Sequence, residues 1–350
     1  MSRTVTVSAS KKYDVIIGSG LLREAGERVK AVNGGSALCL VTDDVVDALY
    51  GAAVENSLAA AGYRVEKIVI PHGEASKTPE TYLNIISFMA EKDISGGDAA
   101  VALGGGVIGD LTGFAAATYR RGIDFVQLPT TLLAAVDASV GGKTAVDLPA
   151  GKNLLGAFHQ PSLVLCDTDT FKTLSKDILR DGCSEIIKYA MIKDAALFDV
   201  LQDIPSAMSE DVIARCVEIK RDVVEADERD KGERRLLNFG HTVGHAVELL
   251  SDFGITHGSA VAIGMAIVAR ASAKLGYCSE ECSAMLVEKI KSFGLPTETE
   301  FTAAQLAKAM LADKKRSGGT VDMIIPEKIG RCVIRKTDVS DLESFVSAGM

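Results

Sequence analysis

The sequence predicts two domains, an α/β domain with a mostly parallel sheet followed by a mainly α-helical domain. A chain of 350 residues exceeds one typical core, so two domains are expected. Over residues 1–170, short apolar runs alternate with amphipathic helical stretches, which indicates parallel strands with helices on both faces. Over residues 171–350, apolar residues recur with helical periodicity. We therefore place the domains at residues 1–170 and 171–350.

The predicted strands of the first domain are apolar runs that lie close to Gly, Asp or Pro. Residues 1–10 alternate Val and Thr with Ser, which is typical of a strand. Further strands are predicted at residues 13–17, 37–42, 64–70, 99–103, 125–128 and 163–166. Helices of the second domain are predicted at residues 178–192, 211–226, 257–275 and 303–311.

Composition and charge disfavour several classes of function. A net charge of −9 argues against a nucleic-acid or anionic-membrane partner, because both need a basic face. The seven cysteines are scattered without Cys-x-x-Cys spacing, which is typical of reduced thiols in the cytoplasm. Residues 1–10 lack the apolar segment of a secretory signal, and apolar stretches such as 261–269 fall short of the roughly 20 residues that span a bilayer. We expect a soluble cytoplasmic protein whose partner is a small molecule.

A glycine-rich turn in the first domain is a candidate dinucleotide site. Residues 103–110, Leu-Gly-Gly-Gly-Val-Ile-Gly-Asp, follow a predicted strand and open an apolar helix. Glycines let the backbone approach a pyrophosphate at the helix N-terminus, although a structural turn or another phosphate site fits the same pattern. The acidic ribose partner is expected about 20 residues later at the end of a strand, but Asp124 begins its strand. Asp43 or Asp44 ends an earlier strand, so the domain is Rossmann-like in a non-standard order; a plain turn aspartate is the alternative.

Two further segments follow predicted strands, where ligands bind in open parallel sheets. Residues 71–78, Pro-His-Gly-Glu-Ala-Ser-Lys-Thr, follow one strand, and Thr130 and Thr131 follow another. Their polar groups fit cofactor oxygens, whereas Thr after Pro is also an ordinary helix N-cap.

Three of the five histidines fall in a short part of the second domain. His241 and His245 lie four residues apart on a predicted helix, so both rings project from one face, and His257 follows nearby. A zinc-peptidase helix carries Glu after its first His, whereas Thr242 stands there in this chain, which disfavours peptide hydrolysis. The pattern fits a divalent metal site or histidines satisfied within the core or at the surface.

Charged side chains in both domains are further candidates for functional residues. Glu185 shares a helix face with Lys188 and is a candidate metal ligand, although an exposed ion pair explains the same spacing. Residues 140–144 and 151–161 place lysines and an amide among glycines, a composition that cradles anions or else forms an ordinary surface turn. Asp137 fits a hydrogen bond to a substrate hydroxyl or a helix cap.

Taken together, these segments resemble 3-dehydroquinate synthases over nearly the whole chain. The resemblance rests on Gly-Glu-x-x-Lys-Thr at 73–78, the triple-glycine loop ending in Gly-Asp, Gly-Gly-Lys-Thr at 141–144, Gly-Lys-Asn-Leu-Leu-Gly-Ala-Phe-His-Gln-Pro at 151–161 and Asn-Phe-Gly-His-Thr-Val-Gly-His at 238–245. It implies an NAD-binding α/β domain followed by a helical domain that binds metal and substrate.

The resemblance also implies roles for individual residues. The metal ligands are Glu185, His241 and His257, and the metal is zinc or cobalt. The NAD contacts are Asp43, Glu74, Lys77, Gly105, Gly106, Val107, Asp110, Thr130, Thr131, Lys143, Lys152 and Thr173. The substrate-binding and catalytic residues are Asp137, Lys143, Asn153, Lys188, Lys220, Arg234, Asn238 and His245. Arg121 is similar to the residue that the family lends across a homodimer interface, and Lys314 or Lys315 to the lysine that closes over the phosphate.

His245 is the position where spacing and resemblance disagree. Helical spacing taken alone makes His241 and His245 both metal ligands. The family pattern takes its third ligand from His257 instead and leaves His245 for acid–base chemistry.

The reaction implied by the resemblance converts 3-deoxy-D-arabino-heptulosonate 7-phosphate to 3-dehydroquinate and phosphate. The substrate is transiently oxidised by NAD, loses phosphate by elimination, is reduced again and closes into a carbocycle, with no net redox change. A different sugar phosphate cyclase, such as a 2-deoxy-scyllo-inosose synthase, would share this chemistry, although Arg234 and Lys220 favour a substrate with a carboxylate. A metal-dependent polyol dehydrogenase or a non-enzymatic nucleotide-binding protein would fit parts of the pattern, but neither needs the lysines.

Overall fold

The computed structural model describes residues 2–252, 254–314 and 319–350, except for the side chains of residues 312–314. The described residues form two compact units. The first comprises Met1–Leu174 and Ser209–Arg229, and the second comprises Ser175–Met208 and Asp230–Met350. The first is an α/β unit with a mostly parallel sheet and the second is mainly helical, so the predicted fold class is confirmed.

The strands account for every predicted strand and add two hairpins. They are β1 Arg3–Ser8, β2 Lys12–Gly18, β3 Ala37–Asp43, β4 Arg64–Ile70, β5 Ala99–Gly104, β6 Asp124–Pro129, β7 Lys143–Leu148, β8 Gly151–Phe158, β9 Leu163–Asp167, β10 Thr320–Lys328 and β11 Arg331–Asp338.

The helices of the first unit flank its sheet, and the helices of the second unit form its core. They are α1 Ala25–Lys30, α2 Asp44–Val46, α3 Ala52–Ala60, α4 Pro79–Glu91, α5 Gly106–Thr118, α6 Lys176–Lys193, α7 Ala195–Val200, α8 Ile204–Ala207, α9 Glu210–Ala226, α10 His241–Leu250, α11 His257–Lys274, α12 Glu280–Ser292, α13 Ala303–Lys314 and α14 Leu342–Gly349. Short 3-10 helices include Glu74–Ser76, Thr168–Thr173 and Glu233–Asn238, and π-helical turns lie at Asp47–Gly51 and Ala134–Ala138.

The seven-stranded sheet of the first unit has the order β1-β2-β9-β6-β5-β3-β4. The strand β1 runs antiparallel to its neighbour, and the other pairs are parallel. All seven residues of β3 are buried, because Leu38 and Leu40 pack on one face while Cys39 and Val41 pack on the other. Burial on both faces explains why the central strands β3 and β5 are continuous apolar runs.

The carboxyl ends of the six parallel strands meet at one edge of this sheet, where Asp43 pairs with Ile70 and Gly104 pairs with Pro129. The loops that follow these ends therefore lie side by side. In open parallel sheets this edge is where ligands bind, and we call it the carboxyl edge.

The helix α9 belongs to the first unit, although its sequence lies within the predicted second domain. It packs against β1, β2 and the turn Ala134–Ala138, and the side chain of Glu225 accepts a hydrogen bond from Ser8 N at 2.6 Å. The chain consequently passes between the units at residues 174/175, 208/209 and 229/230.

The helix α11 forms the centre of the second unit and packs against α6, α10, α12 and α14. Glycines make two of these approaches very close. A Cβ atom on Gly264 would lie 2.0 Å from the carbonyl oxygen of Gly240, and one on Gly258 would lie 2.4 Å from Cα of Asp181. No larger side chain fits at either position, so the N-terminal ends of α10 and α11 are fixed against their neighbours.

No helix in the described ranges is both long and apolar enough to cross a lipid bilayer.

Candidate active site

The glycine-rich loop lies on the carboxyl edge of the first unit. The helix α5 begins at Gly106, and Gly105 is its N-cap without a side-chain cap, so backbone N–H groups are presented at this helix N-terminus. A Cβ atom on Gly105 would meet Cγ2 of Thr131 at 3.2 Å. The loop is therefore suited to an anion that approaches the backbone closely, and Val107 follows in the first turn of α5.

Thr130 follows β6 at the same edge. Its N–H donates to the carbonyl of Gly104 at 3.0 Å. Its side chain is only 2% exposed, and no described residue hydrogen-bonds to its hydroxyl oxygen. Buried hydroxyls nearly always have a partner, so this oxygen fits a contact with a bound ligand.

Asp43 and Thr173 lie at the ends of β3 and of the 3-10 helix after β9. The Asp43 carboxylate accepts hydrogen bonds from the N–H groups of Val45 and Val46 at 3.1 and 2.9 Å, and burial raises its pKa. The Thr173 hydroxyl lies 2.6 Å from the Tyr50 hydroxyl. Asp43 and Thr173, which are both predicted to contact NAD, thus lie at the carboxyl edge. Tyr50 is a polar neighbour of Thr173 that no sequence motif marks.

The ammonium group of Lys77 contacts both helix α5 and strand β8 of the first unit. Its Nζ atom lies 2.6 Å from both Oδ2 of Asp110 and Oδ1 of Asn153. Burial lowers the pKa of Lys77, but the carboxylates of Asp110 and Glu74 raise it more, so Lys77 stays charged. Lys152 lies 3.6 Å from Glu74. Five residues assigned by resemblance are therefore brought together.

Asp147 organises this group, and no sequence motif marks it. Its N–H donates to the carbonyl of Lys77 at 2.8 Å, and its carboxylate accepts from the N–H of Asn153 at 2.7 Å. Asn153 has a positive φ of 55°, a strained value for a non-glycine residue. Asp147 contributes to holding that conformation, which directs the Asn153 amide to Lys77.

Asp137 and Lys220 form a second polar pair of the first unit. Nζ of Lys220 lies 2.5 Å from Oδ1 and 2.6 Å from the carbonyl oxygen of Asp137. Lys143 is exposed at the start of β7, and Arg121 is exposed with a φ of 70°.

Three residues of the second unit form a cluster with the donor set of a divalent metal site. The ligand atoms of Glu185, His241 and His257 all lie within 4.8 Å of one another. Nε2 of His241 lies 3.5 Å and Nε2 of His257 lies 3.4 Å from Oε1 of Glu185. One carboxylate and two imidazoles that converge in this way fit a zinc-type ion with room for a further ligand. We call these residues the metal cluster.

Local packing sets the orientation and charge of the metal cluster. Nδ1 of His241 lies 3.1 Å from the carbonyl oxygen of Phe239, so Nδ1 donates and Nε2 is left as a lone-pair donor. Burial lowers the pKa of His241 to about 3, which keeps its imidazole neutral. Burial also acts to lower the pKa of His257, but Glu185 and Glu248 outweigh it and raise that pKa to about 10. The two carboxylates thus favour a positive charge beside them, which a bound metal ion would supply in place of the proton on Nε2 of His257.

Other predicted residues lie in the second unit, and two of them, Lys188 and His245, lie beside the metal cluster. Lys188 is 1% exposed and forms an ion pair with Glu185, so the spacing in α6 marks a buried pair rather than an exposed one. Arg234 is buried in the 3-10 helix that leads to Asn238 and α10. His245 lies on α10 with its ring centroid 5.5 Å from that of His241. Lys315 and the side chain of Lys314 lie outside the described residues.

Two carboxylates near the metal cluster were not predicted from the sequence. Glu248 is buried on α10, two turns after His241 on the same helical face. Asp181 on α6 accepts hydrogen bonds from the Thr256 hydroxyl at 2.6 Å and from Ser259 N at 3.2 Å, which anchors the start of α11. The i, i+7 spacing from His241 to Glu248 was visible in the sequence, whereas the partners of Asp181 were not.

Comparison with known families decides the assignment. A model described as 3-dehydroquinate synthase N-terminal matches residues 67–181, and one described as 3-dehydroquinate synthase C-terminal matches residues 182–316. The chain belongs to the 3-dehydroquinate synthase family. The 3-dehydroquinate synthase of Caulobacter vibrioides strain NA1000 is 45% identical over 364 residues, covering 99% of this chain and 98% of that protein.

Solved structures share the fold of this 3-dehydroquinate synthase family member. The 2-epi-5-epi-valiolone synthase of Streptomyces hygroscopicus subsp. jinggangensis, with NAD+ and Zn2+ bound, is 29% identical with a TM-score of 0.88, covering 99% of this chain and 98% of that one. A 2-deoxy-scyllo-inosose synthase complexed with carbaglucose-6-phosphate, NAD+ and Co2+ is 23% identical with a TM-score of 0.88, covering 99% of this chain and 100% of that one. The latter likeness concerns the fold alone.

Proposed function

We propose that this chain is a 3-dehydroquinate synthase that converts 3-deoxy-D-arabino-heptulosonate 7-phosphate to 3-dehydroquinate and phosphate. The observation that carries the proposal is the metal cluster, with buried Lys188 beside it, in a chain that is 45% identical to a curated 3-dehydroquinate synthase over nearly its full length. NAD and a divalent metal, zinc or cobalt, are the proposed cofactors. When bound, they supply reversible hydride acceptance and Lewis acidity toward a substrate oxygen.

The metal would be held by Glu185, His241 and His257, whose donor atoms fit one ion. NAD would be held at the carboxyl edge, where the N–H groups of the glycine loop suit its pyrophosphate and the Thr130 hydroxyl suits another oxygen. The residues proposed to contact it are Asp43, Glu74, Lys77, Gly105, Gly106, Val107, Asp110, Thr130, Thr131, Lys143, Lys152 and Thr173.

The chain's cations and amides would bind the two anionic ends of the substrate. Lys188 and Arg234 are buried cations, and such groups form strong charge-assisted hydrogen bonds with carboxylate or phosphate oxygens. Lys143, Asn153, Lys220 and Asn238 are proposed to supply further contacts, and Asp137 to accept a hydrogen bond from a substrate hydroxyl. His245 is proposed to exchange a proton with the substrate, since an imidazole has one nitrogen that donates a proton and one that accepts it.

We also propose that the enzyme is a cytoplasmic homodimer. Leu154, Leu155 and Phe158 are exposed apolar residues of the hairpin β7–β8, a surface of the kind that a second copy covers. Arg121 is proposed to reach the partner's site. A cytoplasmic location is supported by the seven cysteines, all of which are free thiols.

The test is incubation of purified protein with the heptulosonate phosphate, NAD and zinc, with phosphate, dehydroquinate and NADH all measured. Phosphate and dehydroquinate should form in equal amounts and exceed the enzyme many-fold without net NADH. NADH formed in step with product would identify a dehydrogenase instead. Turnover of a different sugar phosphate in a substrate panel, without turnover of the heptulosonate, would identify another cyclase.

A further inference from the structure

Glu248 is a buried carboxylate outside the proposed ligand set. Its side chain is 2% exposed on α10, and its Oε2 atom lies 3.5 Å from Nδ1 of His257. Burying a carboxylate is costly unless it is paired. A carboxylate buried against a proposed metal ligand therefore suggests a role for that contact.

The two ring nitrogens of His257 face different carboxylates. Nε2 lies 3.4 Å from Oε1 of Glu185, and Nδ1 lies 3.5 Å from Oε2 of Glu248. A hydrogen on Nδ1 directed at Glu248 leaves the Nε2 lone pair directed at the metal cluster. The carbonyl oxygen of Phe239 selects the same arrangement in His241 at 3.1 Å.

We infer that Glu248 is a positioning residue that holds the Nδ1–H tautomer and the ring orientation of His257, so that Nε2 serves as the metal ligand. Acceptors of this kind orient metal-binding histidines and raise their basicity. The inference rests on the proposed function, because it takes Glu185, His241 and His257 as the ligands.

A competing role for Glu248 is direct ligation. Ligand atoms of His245, Glu248 and His257 also lie within 4.8 Å of one another, so they form a second possible group of donors. An ion bound through Nδ1 of His257 would take the place of the hydrogen that the inference puts between Nδ1 and Glu248. The two roles predict different metal stoichiometries.

The experiment measures zinc stoichiometry and zinc affinity by competition with a chelator. Glu248→Ala should bind one zinc about 10- to 100-fold more weakly than the unaltered enzyme, the usual loss for an outer-shell partner. Glu248→Gln should recover most of that loss, because its amide oxygen accepts the same hydrogen bond. Glu327→Gln is the matched control, since it removes one carboxylate charge from an ion pair with Arg331 and should leave affinity unchanged.

Two further measurements separate positioning from a merely structural role. The cobalt-loaded enzyme should show an altered visible spectrum in Glu248→Ala and a nearly normal one in Glu248→Gln. The metal-free Glu248→Ala variant should unfold at a thermal midpoint close to that of the metal-free unaltered enzyme. Loss of stability would then not explain the loss of zinc affinity. If Glu248→Ala does not fold, Glu248→Asp replaces it, because its shortened side chain keeps the charge but withdraws the acceptor from Nδ1.

Wild-type zinc affinity in Glu248→Ala, or in Glu248→Asp where that variant replaces it, would overturn the inference. A second result would also overturn the inference: the unaltered enzyme binds two zinc ions, and Glu248→Ala binds only one of them, with unchanged affinity. That result would assign Glu248 as a ligand. Unchanged binding in Glu185→Gln would instead remove the proposed metal site itself.

Discussion

Nζ of Lys220 lies 2.5 Å from Oδ1 of Asp137, so an ion pair joins the middle of α9 to the turn Ala134–Ala138. Both side chains are mostly shielded from solvent, with 8% and 20% exposure. Removing one partner of a shielded pair leaves the other poorly solvated, which costs more than losing an exposed pair.

We expect Lys220→Met to lower the free energy of unfolding by about 2 kcal/mol, because Asp137 loses its buried partner. Urea unfolding monitored by circular dichroism measures this change. Arg28→Met is the control, since its pair with Glu24 is exposed and should contribute no more than about 0.5 kcal/mol. Equal losses in the two variants would show that the Asp137–Lys220 pair contributes no more than an exposed pair.

Thr130→Val should weaken NAD binding about tenfold without destabilising the protein, because the lost hydroxyl has no hydrogen-bond partner among the described residues. Isothermal calorimetry with NAD and thermal unfolding measure the two effects. Thr112→Val is the matched control, because its hydroxyl is also buried without a described partner but lies within α5. Unaltered NAD affinity in Thr130→Val would remove Thr130 from the cofactor site.

His245→Ala should keep close to one zinc per chain while turnover falls on the order of 100-fold, the scale of a lost acid–base group. His241→Ala and His257→Ala should lose both zinc and turnover. Metal analysis of the three purified variants decides between the family pattern and the helical-face hypothesis. An empty His245 variant beside a loaded His257 variant would favour the helical face.

His159 should make the protein less stable at mildly acidic pH. Its Nε2–H donates to the carbonyl of Ile123 at 2.9 Å, and burial lowers its pKa, with opposing smaller effects from that hydrogen bond and from Asp124. The unfolded chain therefore binds a proton more readily than the folded protein. Stability is fully present above the unfolded pKa of about 6.5 and is lost as pH falls toward the lowered folded value.

His159→Gln tests this dependence on pH. The drop in unfolding free energy between about pH 7.5 and about pH 5.5 should be smaller in the variant than in the unaltered protein. Urea unfolding at both pH values measures the difference. An identical drop in the two proteins would assign the acid sensitivity to other groups.

The parallel sheet was predictable because its central strands are buried on both faces. Cys39 and Val41 face one core and Leu38 and Leu40 face the other, so the run is continuously apolar. The hairpin β7–β8 was not predicted, because consecutive exposed residues Leu154 and Leu155 break the alternation of a half-buried strand.

The residues of the candidate site could be predicted where they fall within short sequence motifs of a known family. Glu185, His241 and His257 were assigned by resemblance, and the structure brings their donor atoms together. Asp147 and Glu248 lack such a motif, because a carboxylate on a strand or helix is usually solvated and only tertiary packing buries it or gives it a partner. The apolar periodicity of α9 likewise predicts a helix, but it does not predict that this helix packs in the first unit.

The passage of the chain through α9 means that no single cut separates the two units. A fragment that stops at Leu174 would leave β1 and β2 without the helix that packs on them and would lack Lys220 entirely. A fragment that starts at Ser175 would carry α9 without its strands. Limited proteolysis must therefore cut this polypeptide at more than one point to release either unit intact.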